Sequence, residues 1–435
     1  MRFRILVIYK NVLGVCEMKR LTSLMLIALM LMLAACRGGE PSSGSSGGTK
    51  DGKESDPIKI GTLFPLTGEL ALLGEESFRG VKLAVEEFNN NGGLNGRKVE
   101  LVVGDAVDSD AAQAEANRLI NQANITTIVG SYSSGVAFAG SEVAERNGVL
   151  YWELGAVADD ITGRNYRSIL RINPMASMLS VVHINFIKEV VAEKLGKDIS
   201  DLKVVIAHED SSYGTTIADE AIKLAKEEGI NIVSVLPYGA SSNDLSSVVL
   251  NIKKAEPDVL ISVAYINDAI LLSKQMKELD VEVPVIVGSG AGHTTSDFKD
   301  AVGEENAEGI FDIAYPQYHI NKEFTPGMDK FIELYQEKYN GHPKSGHSLA
   351  SYMGMKVVLD VITQTGGDVD PEKLHETALD YKVERGTTAT GWGVEFDPDT
   401  GQNMLAEYYV HQWIDGKLVT VYPEEVALEE PKINE

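Results

Sequence analysis

The chain has 435 residues, with 39 Lys and Arg against 64 Asp and Glu, a formal charge of −25. That acidity argues against nucleic acid or an anionic lipid surface as partner. Cys16 and Cys36 are the only cysteines, so no thiolate metal site is available to the folded part.

Near the N-terminus, Lys19-Arg20, an apolar run from Leu24 to Leu33, and the small residues Ala34 and Ala35 have the order of a secretory signal. The run is shorter than the ~20 residues of a spanning helix. Leu33-Ala34-Ala35-Cys36 resembles a bacterial lipobox. That implies a signal peptide over residues 1–35 and a lipid on Cys36. Met18 would be a better start for such a signal than Met1, which would make residues 1–17 a start-site artefact. Residues 36–56, rich in Gly, Ser and charged side chains, read as a flexible tether. The expected location is extracytoplasmic, lipid-anchored to the cell membrane, with the N-terminal lipid as the only membrane contact.

Beyond the tether, roughly 375 residues exceed what one hydrophobic core serves, which predicts two lobes. Ile58–Leu63 reads as a strand and Glu75–Asn89 as a helix with Phe78, Val81, Val85 and Phe88 on one face. Val99–Val103, a helix over 110–122, Thr127–Val129 and Gly148–Trp152 follow. The pattern restarts at Asn173-Pro174, which reads as a helix cap and first helical residue, with the helix running to about Leu195. Lys203–Ala207, a helix after Tyr213-Gly214, Asn231–Val235, Asp258–Val263 and Pro284–Val287 continue the series. This βαβα rhythm predicts an α/β fold of two doubly wound, Rossmann-like lobes. Ligands of such sheets sit beyond the carboxyl ends of the strands.

No catalytic constellation is present. No G-x-x-x-x-G-K-[ST] occurs, Gly288–Gly292 lacks dinucleotide-fingerprint spacing, and no serine has glycines at both −2 and +2. The chain is therefore not expected to be an enzyme or to carry a cofactor or metal. Strand ends suggest binding instead. Tyr132, Ser133 and Ser134 offer an aromatic wall, hydroxyls and a helix start suited to an anionic group. Glu153, Gly155 and Ala156 end the next strand, with Glu153 placed to meet a cation or hydroxyl. Tyr213 and Tyr265 each offer a ring and a hydroxyl. Gly290 and His293 belong to a glycine-rich cleft loop.

Ile60–Gly68, Gly80–Ala84, Asn91–Lys98, Gly130–Ser134, Arg171, Tyr213-Gly214, Phe396–Gly401 and Tyr409–Trp413 together resemble the branched-chain amino acid transporter substrate-binding proteins, over roughly residues 57–423. The resemblance implies a type I periplasmic-binding-protein fold: two Rossmann-like lobes joined by three crossovers. Lobe 1 would comprise 57–173 and 316–403, lobe 2 174–315 and 404–424, with 425–435 a tail. It implies that Ser134 holds a ligand carboxylate, that Gly155 offers a backbone contact, and that Tyr213 and Tyr265 come from the second lobe. Three positions depart from the pattern: Val157 replaces a threonine, Leu73 an aromatic, and Gly290 the glutamate that meets an α-ammonium. The expected function is an ABC importer's solute-binding component. It would capture an amino acid or related carboxylate or amide as a monomer and deliver it to a permease and its ATPase. Alternatives are a ligand-binding subunit of a sensory system and an extracellular lipid-anchored hydrolase, for which no nucleophile–base pair is found.

Overall fold

The computed structural model describes residues 56–433; Cys36, the signal and nearly all of the tether lie outside them. Apolar, β-branched runs form two sheets. Ile58–Phe64 (β1), Val99–Asp105 (β2), Thr127–Gly130 (β3), Leu150–Glu153 (β4) and Ile169–Arg171 (β5) make a parallel sheet in the order β2-β1-β3-β4-β5. The second sheet contains Lys203–Glu209 (β6), Asn231–Tyr238 (β7), Val259–Val263 (β8), Val285–Gly288 (β9) and Phe311–Ala314 (β10), with Tyr409–Ile414 (β11) and Lys417–Tyr422 (β12). Its order is β12-β11-β10-β9-β8-β6-β7, parallel except where β11 meets β10 and β12.

β3, β4 and β8 are buried along their whole length, as expected where helices cover both faces of a parallel sheet. On the first sheet, the Ala71–Asn90 helix lays Phe78, Val81 and Val85 against Leu349, Tyr352 and Met355 of the Gly346–Gln364 helix. The two backbones approach so closely that a Cβ on Gly80 would lie 2.0 Å from the Ser348 carbonyl oxygen. Each sheet has a point where the strand order reverses, between β1 and β3 and between β6 and β8. Crevices open there at the carboxyl ends of the strands.

Two expectations are corrected at the passage between sheets. The helix expected to open at Asn173-Pro174 begins at Ala176, with Met175 as its cap. The buried Asn173 amide instead donates across the junction to the Ala156 carbonyl at 3.0 Å and the Tyr315 hydroxyl at 3.1 Å. The helix is also interrupted by a π turn over Ile187–Val191.

Three crossings join the sheets, and their hydrogen bonds interlock. Gln402 accepts from Arg171 Nε and donates to the Asn173 carbonyl at 2.9 Å, while Asn403 donates to the Ile172 carbonyl at 2.9 Å.

Candidate functional site

Residues just past several strand ends meet around one narrow cavity with about 20 Å³ of free space. Tyr132 follows β3, Gly155 and Val157 follow β4, Tyr213 follows β6, Tyr265 follows β8, and Ser289, Gly290 and Ala291 follow β9. Leu179, Tyr315, His347 and Tyr408 complete the lining. A larger depression beside Lys322, Glu323 and Asp329 is an open surface with exposed charged walls, unlike the enclosed cavity a small ligand needs.

The rings form a connected set. Tyr213 and Tyr265 lie 4.8 Å apart between centroids, Tyr132 meets Tyr265 edge-on at 6.2 Å, and Tyr315 stacks on Tyr408 at 5.6 Å. Four of the hydroxyls are already committed to backbone carbonyls. Tyr132 donates to Leu70 (2.7 Å), Tyr213 to Ser289 (2.6 Å), Tyr315 to Gly155 (2.6 Å) and Tyr408 to Pro174 (3.1 Å). The expected ring-plus-hydroxyl role of Tyr213 is thus corrected: its ring faces the cavity while its hydroxyl fixes a loop. The Tyr265 hydroxyl lies by Ser133 and Ser211.

Glu153 is also corrected. It is fully buried and does not line the cavity. Its carboxylate accepts from the backbone N–H groups of Ser131, Leu154, Gly155 and Ala156 at 2.6–3.0 Å. Burial raises its pKa, and these N–H groups oppose the rise. Ala156 and Ser134 likewise sit behind the wall. The Ala156 N–H is bound by Glu153, and Ser134 Oγ accepts from the Ala158 N–H at 3.2 Å. Ser133 caps the Ser134–Arg146 helix without a side-chain bond and lies outside the lining.

His293 is buried and outside the cavity, its carbonyl accepting from the Trp413 indole at 2.8 Å. Its Nδ1 lies 3.5 Å from Asp312 Oδ2, and Asp312 Oδ1 accepts the Gly290 N–H at 2.8 Å. Gly290 does line the cavity, at φ +88°. Gly288 makes room for this arrangement, since a Cβ there would fall 2.1 Å from Asp312 Oδ2 and 2.6 Å from His293 Nδ1.

No Asp or Glu lines the cavity, and among the described residues no cluster of three or more His, Cys, Asp or Glu is placed to hold a metal ion. Sequence reasoning missed Tyr315, His347 and Tyr408. The strand-end rule points to Tyr315 once β10 is recognised. His347 opens a helix and carried no such signal.

Residues 57–417 match the family described as periplasmic binding protein. The chain is also 43% identical over 380 residues to Leu/Ile/Val-binding protein homolog 7 of Brucella suis biovar 1, covering 87% of this chain and 94% of the relative. The chain belongs to the periplasmic binding protein family. Solved structures of low identity share its fold. The leucine binding protein LivK of Thermotoga maritima has a TM-score of 0.73 at 21% identity, covering 85% of this chain and 98% of that one. An R. palustris solute binding protein in complex with 4-hydroxybenzoate has a TM-score of 0.72 at 23% identity, covering 86% and 98%. The architecture is the type I periplasmic binding protein fold.

In this periplasmic binding protein, contacts beyond the rings also span the two sheet layers. Lys344 Nζ pairs with Asp297 at 2.9 Å, and the Ser296 N–H donates to the Lys344 carbonyl at 3.3 Å. Asn267 Nδ2 donates to the Glu69 carbonyl at 3.3 Å.

Proposed function

We propose that the protein is the solute-binding component of an ABC importer, closing two lobes over a small carboxylate or amide and delivering it to a permease and its ATPase. The observation that carries this reading is the narrow, ring-lined cavity built from strand ends of both sheets. The lobes are 57–173 with 316–403 and 174–315 with 404–424, and the interlocked crossings form the hinge. The protein acts by binding, without turnover.

The lining favours a less cationic ligand than leucine. An α-ammonium brought here would meet no carboxylate, and a buried unpaired charge costs several kcal/mol. Aromatic walls and hydrogen-bonding groups suit a planar or branched acid or amide. Native mass spectrometry of protein purified without refolding tests this by identifying the co-purified molecule. A carboxylate or amide lost on blocking the cavity supports the reading; a ligand retained by an Ala291→Trp variant contradicts it.

Attachment through a lipid on Cys36 belongs to the same proposal, because acylation supplies membrane affinity while the tether supplies reach. Cys36→Ala should release or misprocess the protein. Unchanged fractionation and mature mass would contradict this.

A further inference from the structure

We propose that His347 reads the ligand, donating a hydrogen bond from its Nε2–H to an acceptor oxygen inside the cavity. This rests on the cavity being the ligand site. His347 lines it, is only 5% exposed, and stands edge-on to Tyr132 at 5.9 Å and Tyr315 at 5.0 Å. With four tyrosine hydroxyls, the Gly290 N–H and the Gly155 N–H already committed, a polar atom without a protein partner stands out. His347 Nε2 is such an atom, having no hydrogen-bond partner among the described residues.

The neighbouring bonds assign the tautomer. Nδ1 lies 3.0 Å from Ser345 Oγ, and that hydroxyl also accepts the His347 backbone N–H at 3.1 Å as the helix cap. A serine hydroxyl has one proton to give. Ser345 is 1% exposed, and His347 Nδ1 is the acceptor within reach of its proton. The Ser345 O–H therefore donates to Nδ1, which leaves the ring hydrogen on Nε2. Burial drives the ring's pKa down to about 3, so at neutral pH it carries a single N–H. The residue also opens the 19-residue Gly346–Gln364 helix, whose positive end favours negative charge. Donor and dipole together select a carboxylate or carbonyl oxygen and disfavour an ammonium.

A long-range proton–nitrogen NMR spectrum of the uniformly 15N-labelled protein, with His347 assigned by its loss in His347→Phe, reads the tautomer directly. Hydrogen on Nε2 supports the assignment; hydrogen on Nδ1 overturns it. Calorimetry then compares 4-hydroxybenzoate, benzamide, leucine and leucinamide on wild type, His347→Phe, His347→Gln and Ala291→Trp. The expected result is a loss of about 10- to 100-fold on His347→Phe, partial recovery in His347→Gln, and a shift of the Nε2 resonance when the bound probe is added. Binding abolished by Ala291→Trp but unchanged in His347→Phe overturns the role of His347 and leaves the cavity reading intact. Binding that survives Ala291→Trp overturns the cavity reading itself.

Discussion

Glu153 and Arg171 hold the same loop from opposite sides. Glu153 Oε1 accepts the N–H groups of Leu154, Gly155 and Ala156, while Arg171 donates to the Ala158 carbonyl at 2.7 Å and the Ala156 carbonyl at 3.4 Å. Both side chains are fully buried. Between them they set the backbone of 154–158, from which Gly155 and Val157 reach the cavity.

Glu153→Gln replaces one accepting oxygen by an amide donor facing backbone N–H groups. Hydrogen bonds to charged groups contribute about 1.5–3 kcal/mol, and stability should fall by roughly that amount in denaturant titration. Ligand affinity should fall with it, because the loop carries the cavity wall. Unchanged stability with a selective loss of a cationic ligand would show instead that the carboxylate meets the ligand directly.

Gly288→Ala brings a methyl group against Asp312 Oδ2 and His293 Nδ1. Overpacking of this kind costs about 1–3 kcal/mol. The displaced Asp312 would release the Gly290 N–H, so the melting temperature and ligand affinity should drop together. An alanine variant with wild-type melting and binding would contradict this account of the loop.

Much of this architecture is legible in the sequence. Most of the strands are apolar runs, many of them β-branched, and their carboxyl ends locate Tyr132, Gly155, Tyr213, Tyr265 and Gly290 at the cavity. β5 has only three residues, and in the four-residue β10 the charged Asp312 interrupts the apolar run that would mark a strand. The fate of polar atoms is not legible either. Glu153 reads as a free strand-end acid until the backbone turn that surrounds it is known. Asn173 reads as a cap until its neighbours across the crossing are known.

Asp268 gives a pH test. Burial lifts its carboxyl from 3.8 to about 7, with the Tyr238 hydroxyl donating to it at 2.9 Å. Between those values the folded protein keeps a proton that the unfolded chain has lost. The associated stability is fully present below 3.8 and is lost as pH rises through the folded pKa, at about 1.4 kcal/mol per pH unit within the window. Asp268→Asn keeps an acceptor for Tyr238 and does not ionise. Its stability relative to wild type should therefore grow between about pH 5 and pH 8. A constant difference across that range would contradict the raised pKa.

The Lys344–Asp297 pair is half-exposed and spans the two layers. Exposed ion pairs contribute about 0.2–1 kcal/mol, enough to shift an opening equilibrium without unfolding either lobe. Lys344→Ala should enlarge the ligand-free radius of gyration in small-angle scattering and weaken binding a few-fold, roughly as that energy implies. Ligand should restore the compact profile with helix content unchanged. A profile identical to wild type with and without ligand would count against hinge closure.

The most direct measurement is calorimetric titration of the ligand-stripped protein with leucine, leucinamide, 4-hydroxybenzoate and benzamide under one set of conditions. Tighter binding of an uncharged or anionic acceptor-bearing compound than of leucine is the result expected of a cavity lined by rings, a histidine N–H and no carboxylate. Tight leucine binding that persists in Glu153→Gln would contradict it, because an α-ammonium would then be held where no acid lines the wall.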